Sequence, residues 1–189
     1  MGMDTPTTRL GFEDELWRSA DLLRANLEPA HYKHLVLTLL FLRAAETRLA
    51  CPAGARWRDL TPRAEALDTA LEVLERGVPS LKGALPRPFV AAGLPDETLE
   101  HLVALVDGVP ASGGGDTLGR VYEYFLGRFA AAEGRGGGEF YTPHCLVKLL
   151  VALLSPLEGR LYDPCCGSGG MFVQSGAKGT VYGQESNPT

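Results

Sequence analysis

A short segment near the C-terminal end of the chain combines residue types that often hold a small ligand or a metal. It is DPCCGSGGMF, residues 163–172, with one acid, two adjacent cysteines and three glycines. Two interpretations are open at first. Cys165 and Cys166 could form a metal or redox site, or the glycines could form a backbone cradle for a small ligand. The two imply different functions, so the surrounding sequence has to decide between them.

The spacing of the cysteines disfavours a metal site. Adjacent cysteines lack the two-residue gap with which a Cys pair shares one zinc ion, and Cys145 lies 20 residues before Cys165. We therefore predict no metal ligands in this sequence. Cys165 and Cys166 are expected to be small side chains packed under a turn.

The glycines favour a ligand cradle. Gly167, Gly169 and Gly170 lie between a predicted strand and a predicted helix, where missing side chains let a ligand approach the backbone. The segment is not a dinucleotide fingerprint, which needs a glycine where Phe172 stands. Nor is it a phosphate-binding P-loop, which ends in Gly-Lys-Ser/Thr.

Two acids narrow the class of ligand. Asp163 ends the first predicted strand, where a carboxylate repels a pyrophosphate and attracts a cation. Glu185 closes the second predicted strand, where a carboxylate can accept both hydroxyls of an adenosine ribose. A positively charged adenosine satisfies both positions, and S-adenosylmethionine is such a molecule. A turn with glycines for packing only, and Glu185 on a solvated edge, stays open as the alternative.

The elements around this segment predict the start of a parallel α/β sheet. Residues 159–163 and 179–185 are typical of buried strands, with the glycine turn and a short helix between them. Thr142-Pro143 is expected to begin a further helix, residues 143–154, which is apolar nearly all round and therefore predicted to be buried. So small a sheet cannot stand alone, and the sequence is expected to be a truncated piece of something longer.

The front of the chain has the pattern of a helical domain. The predicted helices cover residues 13–27, 28–50, 61–77, 96–108 and 118–134. Thr61 is expected to cap the third and Asp96 the fourth, while residues 78–95 are predicted to be a loop and residues 111–115 a linker. We therefore predict two domains, a helical one over residues 1–133 and the beginning of an α/β domain over residues 134–189.

Composition limits the classes of function. The net charge is −5, with 18 Lys and Arg against 23 Asp and Glu, which gives no support to DNA binding by bulk electrostatics. The longest apolar run, Leu35–Leu42, is far shorter than a membrane span. The N-terminus lacks the apolar core of a signal peptide. We expect a cytoplasmic protein that does not contact a membrane.

Three motifs together resemble the methylation subunit of type I restriction-modification systems, a family of N6-adenine DNA methyltransferases. They are GGEFYTP at residues 137–143, DPCCGSGGMF at residues 163–172 and GQESNP at residues 183–188. The helical front is similar to the N-terminal domain of that family, most clearly at residues 16–43 and 118–130. The resemblance covers nearly the whole chain, and the conjunction of the first two motifs makes it specific.

The resemblance implies an α-helical N-terminal domain followed by the start of an α/β class I (Rossmann-like) methyltransferase domain that uses S-adenosylmethionine. It also implies that residues 139–144 fold over this cofactor, that the loop after Asp163 holds its methionine part, and that Glu185 holds its ribose. The predicted cofactor-binding residues are Glu139, Phe140, Tyr141, Thr142, Pro143, His144, Asp163, Gly167, Ser168, Gly169, Gly170 and Glu185.

The sequence departs from the family pattern at three points. Cys165 stands where alanine is common, and His144 stands where arginine is frequent. The Asn/Asp-Pro-Pro-aromatic motif that orients a flipped-out adenine is missing, since the only Asn-Pro, Asn187-Pro188, is followed by Thr189. We therefore predict no catalytic residue in this sequence and expect it to be a non-catalytic N-terminal fragment.

The resemblance also implies partners. They are DNA, a specificity subunit and a restriction (nuclease/translocase) subunit, with a second copy of the chain as a further candidate. Two alternatives remain open. The chain could be an interaction module that docks a specificity subunit or DNA without catalysis. It could also belong to a methyltransferase that acts on proteins or small molecules, which the helical front disfavours.

Overall fold

The structure is a computed structural model, and it divides the chain into two compact units, Met1–Phe129 and Ala130–Thr189. It describes residues 13–23, 27, 29–109, 117–133, 142, 144–155, 159–167, 169–176 and 178–186. The described part of the first unit is helical, and the second unit holds a parallel pair of strands. The predicted fold class is therefore confirmed, while the predicted domain boundary after residue 133 stays a prediction.

Helices of the first unit pack around one central helix. They are α1 (Glu13–Leu23), α2 (Pro29–Arg48), α3 (Ala64–Gly77), α4 (Pro88–Ala92), α5 (Asp96–Asp107) and α6 (Thr117–Glu133). In α2, residues 35–40 are all buried, so this helix is covered on every side. Phe89 of α4, Leu99 of α5 and Phe125 of α6 belong to the same core. The predicted linker, residues 111–115, lies outside the described residues.

Two of the predicted helix starts are wrong. Helix α3 begins at Ala64 with Arg63 in the N-cap position, so Thr61 does not cap it. Asp96 is the first residue of α5, and Pro95 precedes it as the cap. Gly77 and Gly108 end these two helices as predicted. Neither glycine adopts the left-handed conformation of a glycine cap, and a Cβ added at Gly77 would lie 2.8 Å from Cγ of Pro52.

The segment predicted to be a loop, residues 78–95, contains helix α4. The carboxylate of Asp68 in α3 accepts hydrogen bonds from the backbone N–H groups of Phe89, at 3.2 Å, and Val90, at 3.0 Å. These are donors that the first turn of a helix leaves without an intrahelical partner. Because the acceptor comes from another helix, the start of α4 could not be predicted from the local sequence.

A buried arginine joins α2 to the C-terminal end of α5. The guanidinium of Arg43 donates to the carbonyls of Val106, at 2.8 Å, and Val109, at 2.7 Å, and to the carboxylate of Asp107, at 2.7 Å. The same carboxylate accepts a hydrogen bond of 2.9 Å from the indole N–H of Trp57. The carbonyl end of a helix also carries the negative pole of the helix dipole, which favours a cation there.

We predict that Arg43→Met destabilises the protein much more than the same change at Arg58. The side chain of Arg43 is 10% exposed, and its loss removes the guanidinium donor from the carbonyl of buried Val109 and from two further acceptors, at a cost of about 2–3 kcal/mol. The side chain of Arg58 is 68% exposed and forms a surface ion pair with Glu46, for which we expect a loss below about 1 kcal/mol. Urea unfolding followed by circular dichroism measures both, and equal losses would contradict the role given to Arg43.

The second unit begins a parallel sheet in the predicted order. Its elements are α7 (His144–Leu154), β1 (Arg160–Asp163), α8 (Gly170–Ser175) and β2 (Thr180–Gly183). The two strands pair in parallel, with Arg160 opposite Thr180 and Asp163 opposite Gly183. Helix α7 packs against α8. A short helix thus connects two parallel strands, as the sequence predicts.

The predicted burial of this unit is wrong. Helix α7 exposes most of its leucines, with Leu153 71% exposed, and buries Val147. In β1, Tyr162 is 59% exposed. Two short strands and the six-residue helix α8 are too small to cover an apolar helix on all sides. None of the helices in the described part of the chain has the length and the apolar character needed to cross a membrane.

Candidate functional site

The loop between β1 and α8 is held at its beginning by Asp163. The Oδ1 atom of this half-buried carboxylate accepts a hydrogen bond of 3.0 Å from the backbone N–H of Cys165. The carbonyl of Asp163 accepts another of 3.0 Å from the N–H of Gln184, just beyond β2. The acid therefore ends its strand and turns toward the loop, as predicted.

Backbone pairing continues past the ends of both strands. The N–H of Cys166 donates to the carbonyl of Gln184 at 2.9 Å, so the loop runs along the extension of β2. Within the loop, the N–H of Gly169 donates to the carbonyl of Cys166 at 2.9 Å. The loop is therefore folded against β2 by main-chain hydrogen bonds.

Glu185 closes the site from the other strand. Its Oε2 atom accepts a hydrogen bond of 2.9 Å from the N–H of Gly167, which lies 18 residues earlier in the chain. Its Oε1 atom accepts from the N–H of Ser186 at 2.8 Å and from the hydroxyl of Ser186 at 3.3 Å. These contacts hold the carboxylate beside the loop. The structure thus brings Asp163, the glycine loop and Glu185 together.

The glycines of the loop fall into two groups, according to whether their backbone conformation requires glycine. Gly167, with φ of +52°, and Gly169, with φ of +80°, are in the left-handed region that side chains disfavour. Gly170 has no positive φ, and a Cβ added there would meet no atom of the described chain within 4 Å. Neither conformation nor packing within the described chain requires glycine at position 170. We expect this position to leave room for a ligand at the backbone.

Five of the predicted cofactor-binding residues lie outside the described residues; they are Glu139, Phe140, Tyr141, Pro143 and Ser168. Thr142 is exposed, and His144 is the first residue of α7. The loop and the two acids are therefore the part of the predicted site for which the structure gives a geometry.

The two cysteines of the loop differ in their surroundings. Cys165 is exposed, so the prediction that it packs under the turn is wrong. Cys166 is half-buried and lies against Gly183, a contact that was not predicted. The described residues contain no group of three or more His, Cys, Asp or Glu side chains that could hold a metal ion.

Three contributors to the site were not predicted. Gln184 takes part through its backbone N–H and carbonyl, which leave no signature in the residue type. Ser186 binds Glu185, and a hydroxyl directly beside a predicted ligand acid is a signal that could have found it. Gly183 is required by packing against the loop, and only the pairing of the strands reveals this contact.

An open groove on the helical unit, about 960 Å³ in volume, is the other candidate site. Its lining beside α3 contains four acids, and three of them, all except Glu65, have the following structural partners. Asp68 caps α4, Glu72 pairs with Arg76, and Glu75 pairs with Arg87. The guanidinium of Arg87 holds the pKa of Glu75 below its usual value. The acids of this groove stabilise the helical unit, so the loop after Asp163 remains the stronger candidate.

Two family models match the chain, one in each half. The model of the N-6 DNA Methylase family matches residues 113–189, and that of the HsdM N-terminal domain matches residues 12–52. The methylase subunit of type I restriction enzyme MjaIX from Methanocaldococcus jannaschii is 32% identical over 94% of this chain. The chain belongs to the family of type I methylation subunits. The start of its helical front lies in the part matched by the N-terminal domain model, and its glycine loop lies in the part matched by the methylase model.

Other members of the family show the same partial coverage. The methylase subunit of the HindI enzyme from Haemophilus influenzae is 37% identical over 73% of this chain. This chain spans 43% of the MjaIX subunit and 40% of the HindI subunit. The solved type I methyltransferase subunit from Streptococcus thermophilus has the same fold, with a TM-score of 0.51 and 22% identity over 94% of this chain and 52% of that one.

We predict that Gly170→Ala weakens binding of S-adenosylmethionine without destabilising the protein. A methyl group at this position meets no atom of the described chain but occupies the space of an approaching ligand, so affinity falls about tenfold. Gly169→Ala is the contrasting variant, since its left-handed conformation costs about 1–2 kcal/mol of stability. Calorimetric titration and thermal melting of the protein from its complete reading frame separate the two effects. Unchanged affinity in Gly170→Ala would place the ligand elsewhere.

Proposed function

We propose that this chain is the N-terminal part of an S-adenosylmethionine-dependent DNA methyltransferase subunit that methylates adenine at N6 in a type I restriction-modification system. The observation that carries the proposal is the juxtaposition of Asp163, the open glycine loop and Glu185 at the carboxyl ends of two parallel strands. Crevices at these ends are where open α/β sheets bind ligands. Membership of the methylation-subunit family supports the same conclusion.

The residues of the site fit S-adenosylmethionine. Asp163 offers a negative charge beside the loop, which suits the ammonium and sulfonium groups of the ligand. Glu185 places a carboxylate at the end of the second strand, a position where an acid can accept the ribose hydroxyls. Gly170 leaves the backbone accessible, with no atom of the described chain within 4 Å of an added Cβ. Residues 139–144 complete the proposed pocket.

The residues of this chain bind and orient the cofactor in this proposal. When bound, S-adenosylmethionine supplies a methyl group activated by the positive sulfonium. Asp163 and the glycine loop would hold the methionine part of the ligand, and Glu185 would hold its ribose, so that both groups joined to the sulfonium would be positioned by this chain. Transfer to the adenine amine then depends on alignment. The sequence contains no Asn/Asp-Pro-Pro-aromatic motif, so we propose that this chain alone is not catalytic.

The proposed partners follow from the family and from charge. A net charge of −5 suits a subunit whose DNA contacts come mainly from other surfaces. We propose a specificity subunit that reads the DNA sequence, a restriction subunit, and a second methylation subunit as a further candidate. The cytoplasm is the proposed location.

The test removes each acid's charge and keeps its shape. Asp163→Asn and Glu185→Gln retain acceptors for Cys165 and Gly167 but lose a charged hydrogen bond to the ligand, so we expect the dissociation constant for S-adenosylmethionine to rise about 10–100-fold. Glu97→Gln, on the exposed start of α5, is the matched control and should bind as the wild type does. Calorimetry on the protein from its complete reading frame measures all three.

Methyl transfer to DNA, assayed with the specificity subunit present, checks the activity itself. The wild-type protein from its complete reading frame should transfer the methyl group to adenine, and the 189-residue chain should not. Wild-type protein that binds no S-adenosylmethionine would sink the proposal. If it instead binds the specificity subunit without any methyl transfer, the interaction-module alternative is the correct one.

A further inference from the structure

We infer that Cys166 is a positioning residue for the cofactor, and that the bare backbone of Gly183 is its steric counterpart. The inference rests on the proposed function, because it concerns how the loop and Glu185 are held at the separation that the ligand requires. No chemistry is assigned to the thiol. Its size is what matters.

Residue 183 is glycine because the structure leaves no space for a side chain at this position. A Cβ added there would lie 2.8 Å from Sγ of Cys166 and 2.9 Å from Cε2 of Phe172. Both distances are below van der Waals contact, so the loop and the first turn of α8 rest directly on the main chain of β2. Gly183 is not among the glycines with positive φ, so conformation does not explain the residue.

The contact lies between the two acids of the site. Gly183 pairs with Asp163 across the strands. Beyond this pair, the N–H of Cys166, three residues after Asp163, donates to the carbonyl of Gln184, and the N–H of Gly167 donates to the carboxylate of Glu185, at 2.9 Å in both cases. Gly183 and the two residues that follow it thus all meet the loop. Moving Cys166 away from β2 therefore moves Gly167 away from Glu185.

The size of the side chain at position 166 sets the distance between the loop and β2. Cys166 is half-buried, and its Sγ makes only a long contact of 3.7 Å with the carbonyl of its neighbour Gly167. A serine at this position is nearly as small and preserves the spacing. A valine adds a branch toward β2 and pushes the loop outward. Alanine at position 183 has the same consequence from the opposite side.

The experiment uses the protein from its complete reading frame with its specificity subunit. We expect Gly183→Ala and Cys166→Val each to raise KM for S-adenosylmethionine about tenfold, with KM for DNA and kcat within about twofold of wild type. Cys166→Ser, the conservative variant, should keep KM within about twofold of wild type. Gly127→Ala is the matched glycine control, since a Cβ there meets no described atom within 4 Å.

A double variant that relieves the steric overlap between positions 166 and 183 gives a second measurement. Cys166→Ala removes the sulfur that an alanine at position 183 would meet, so adding it to Gly183→Ala should recover at least about threefold in KM for S-adenosylmethionine. Recovery is partial because Phe172 still faces the added methyl group. A purely additive double variant would contradict the steric pairing.

The outcomes separate the inference from the proposed function. If Asp163→Asn and Glu185→Gln lose affinity while Gly183→Ala and Cys166→Val do not, the positioning role is wrong and the site stands. If none of the four changes affinity, the site itself is wrong. If Gly183→Ala and Cys166→Val both lower the melting temperature and change kcat and both KM values alike, the contact is only structural and the inference is overturned.

Discussion

The hydrogen bonding between two parallel strands beyond their ends is the constraint on which the candidate site depends. Gln184 donates to the carbonyl of Asp163 and accepts from Cys166, so the chain after β2 and the loop after β1 share one ladder. Parallel strands place their carboxyl ends at the same edge. Two acids 22 residues apart, Asp163 and Glu185, are therefore held beside the same glycine turn.

The charges of Asp163 and Glu185 determine which class of ligand is favoured at this edge of the sheet. Most glycine-rich turns at the end of a strand serve a phosphate, and their surroundings supply positive charge or free N–H groups. Here one carboxylate ends β1 and another binds the loop amide of Gly167. Two negative groups at such a turn oppose a pyrophosphate and favour a cationic ligand. The same acidity extends to the whole chain, which has a net charge of −5.

The helical unit is organised by long-range contacts of a different kind. Arg43 of α2 satisfies carbonyls at the end of α5, and Asp68 of α3 satisfies N–H groups at the start of α4. In both cases a side chain from one helix binds the unsatisfied terminus of another. These contacts connect the helices in addition to the apolar core, and the contact of Asp68 explains why α4 begins in a segment that the local sequence does not mark as a helix.

The sequence by itself determined the features that depend on neighbouring residues. Apolar periodicity placed the long helices, two short apolar segments placed the parallel strands, and residue type alone marked Asp163, the glycine loop and Glu185. Tertiary structure decided helix α4, the exposure of α7, and the contact of Cys166 with Gly183. The physical reason is that these depend on backbone groups and surfaces distant in the chain. The type of a residue does not reveal which main-chain hydrogen bonds it forms or whether another element covers it.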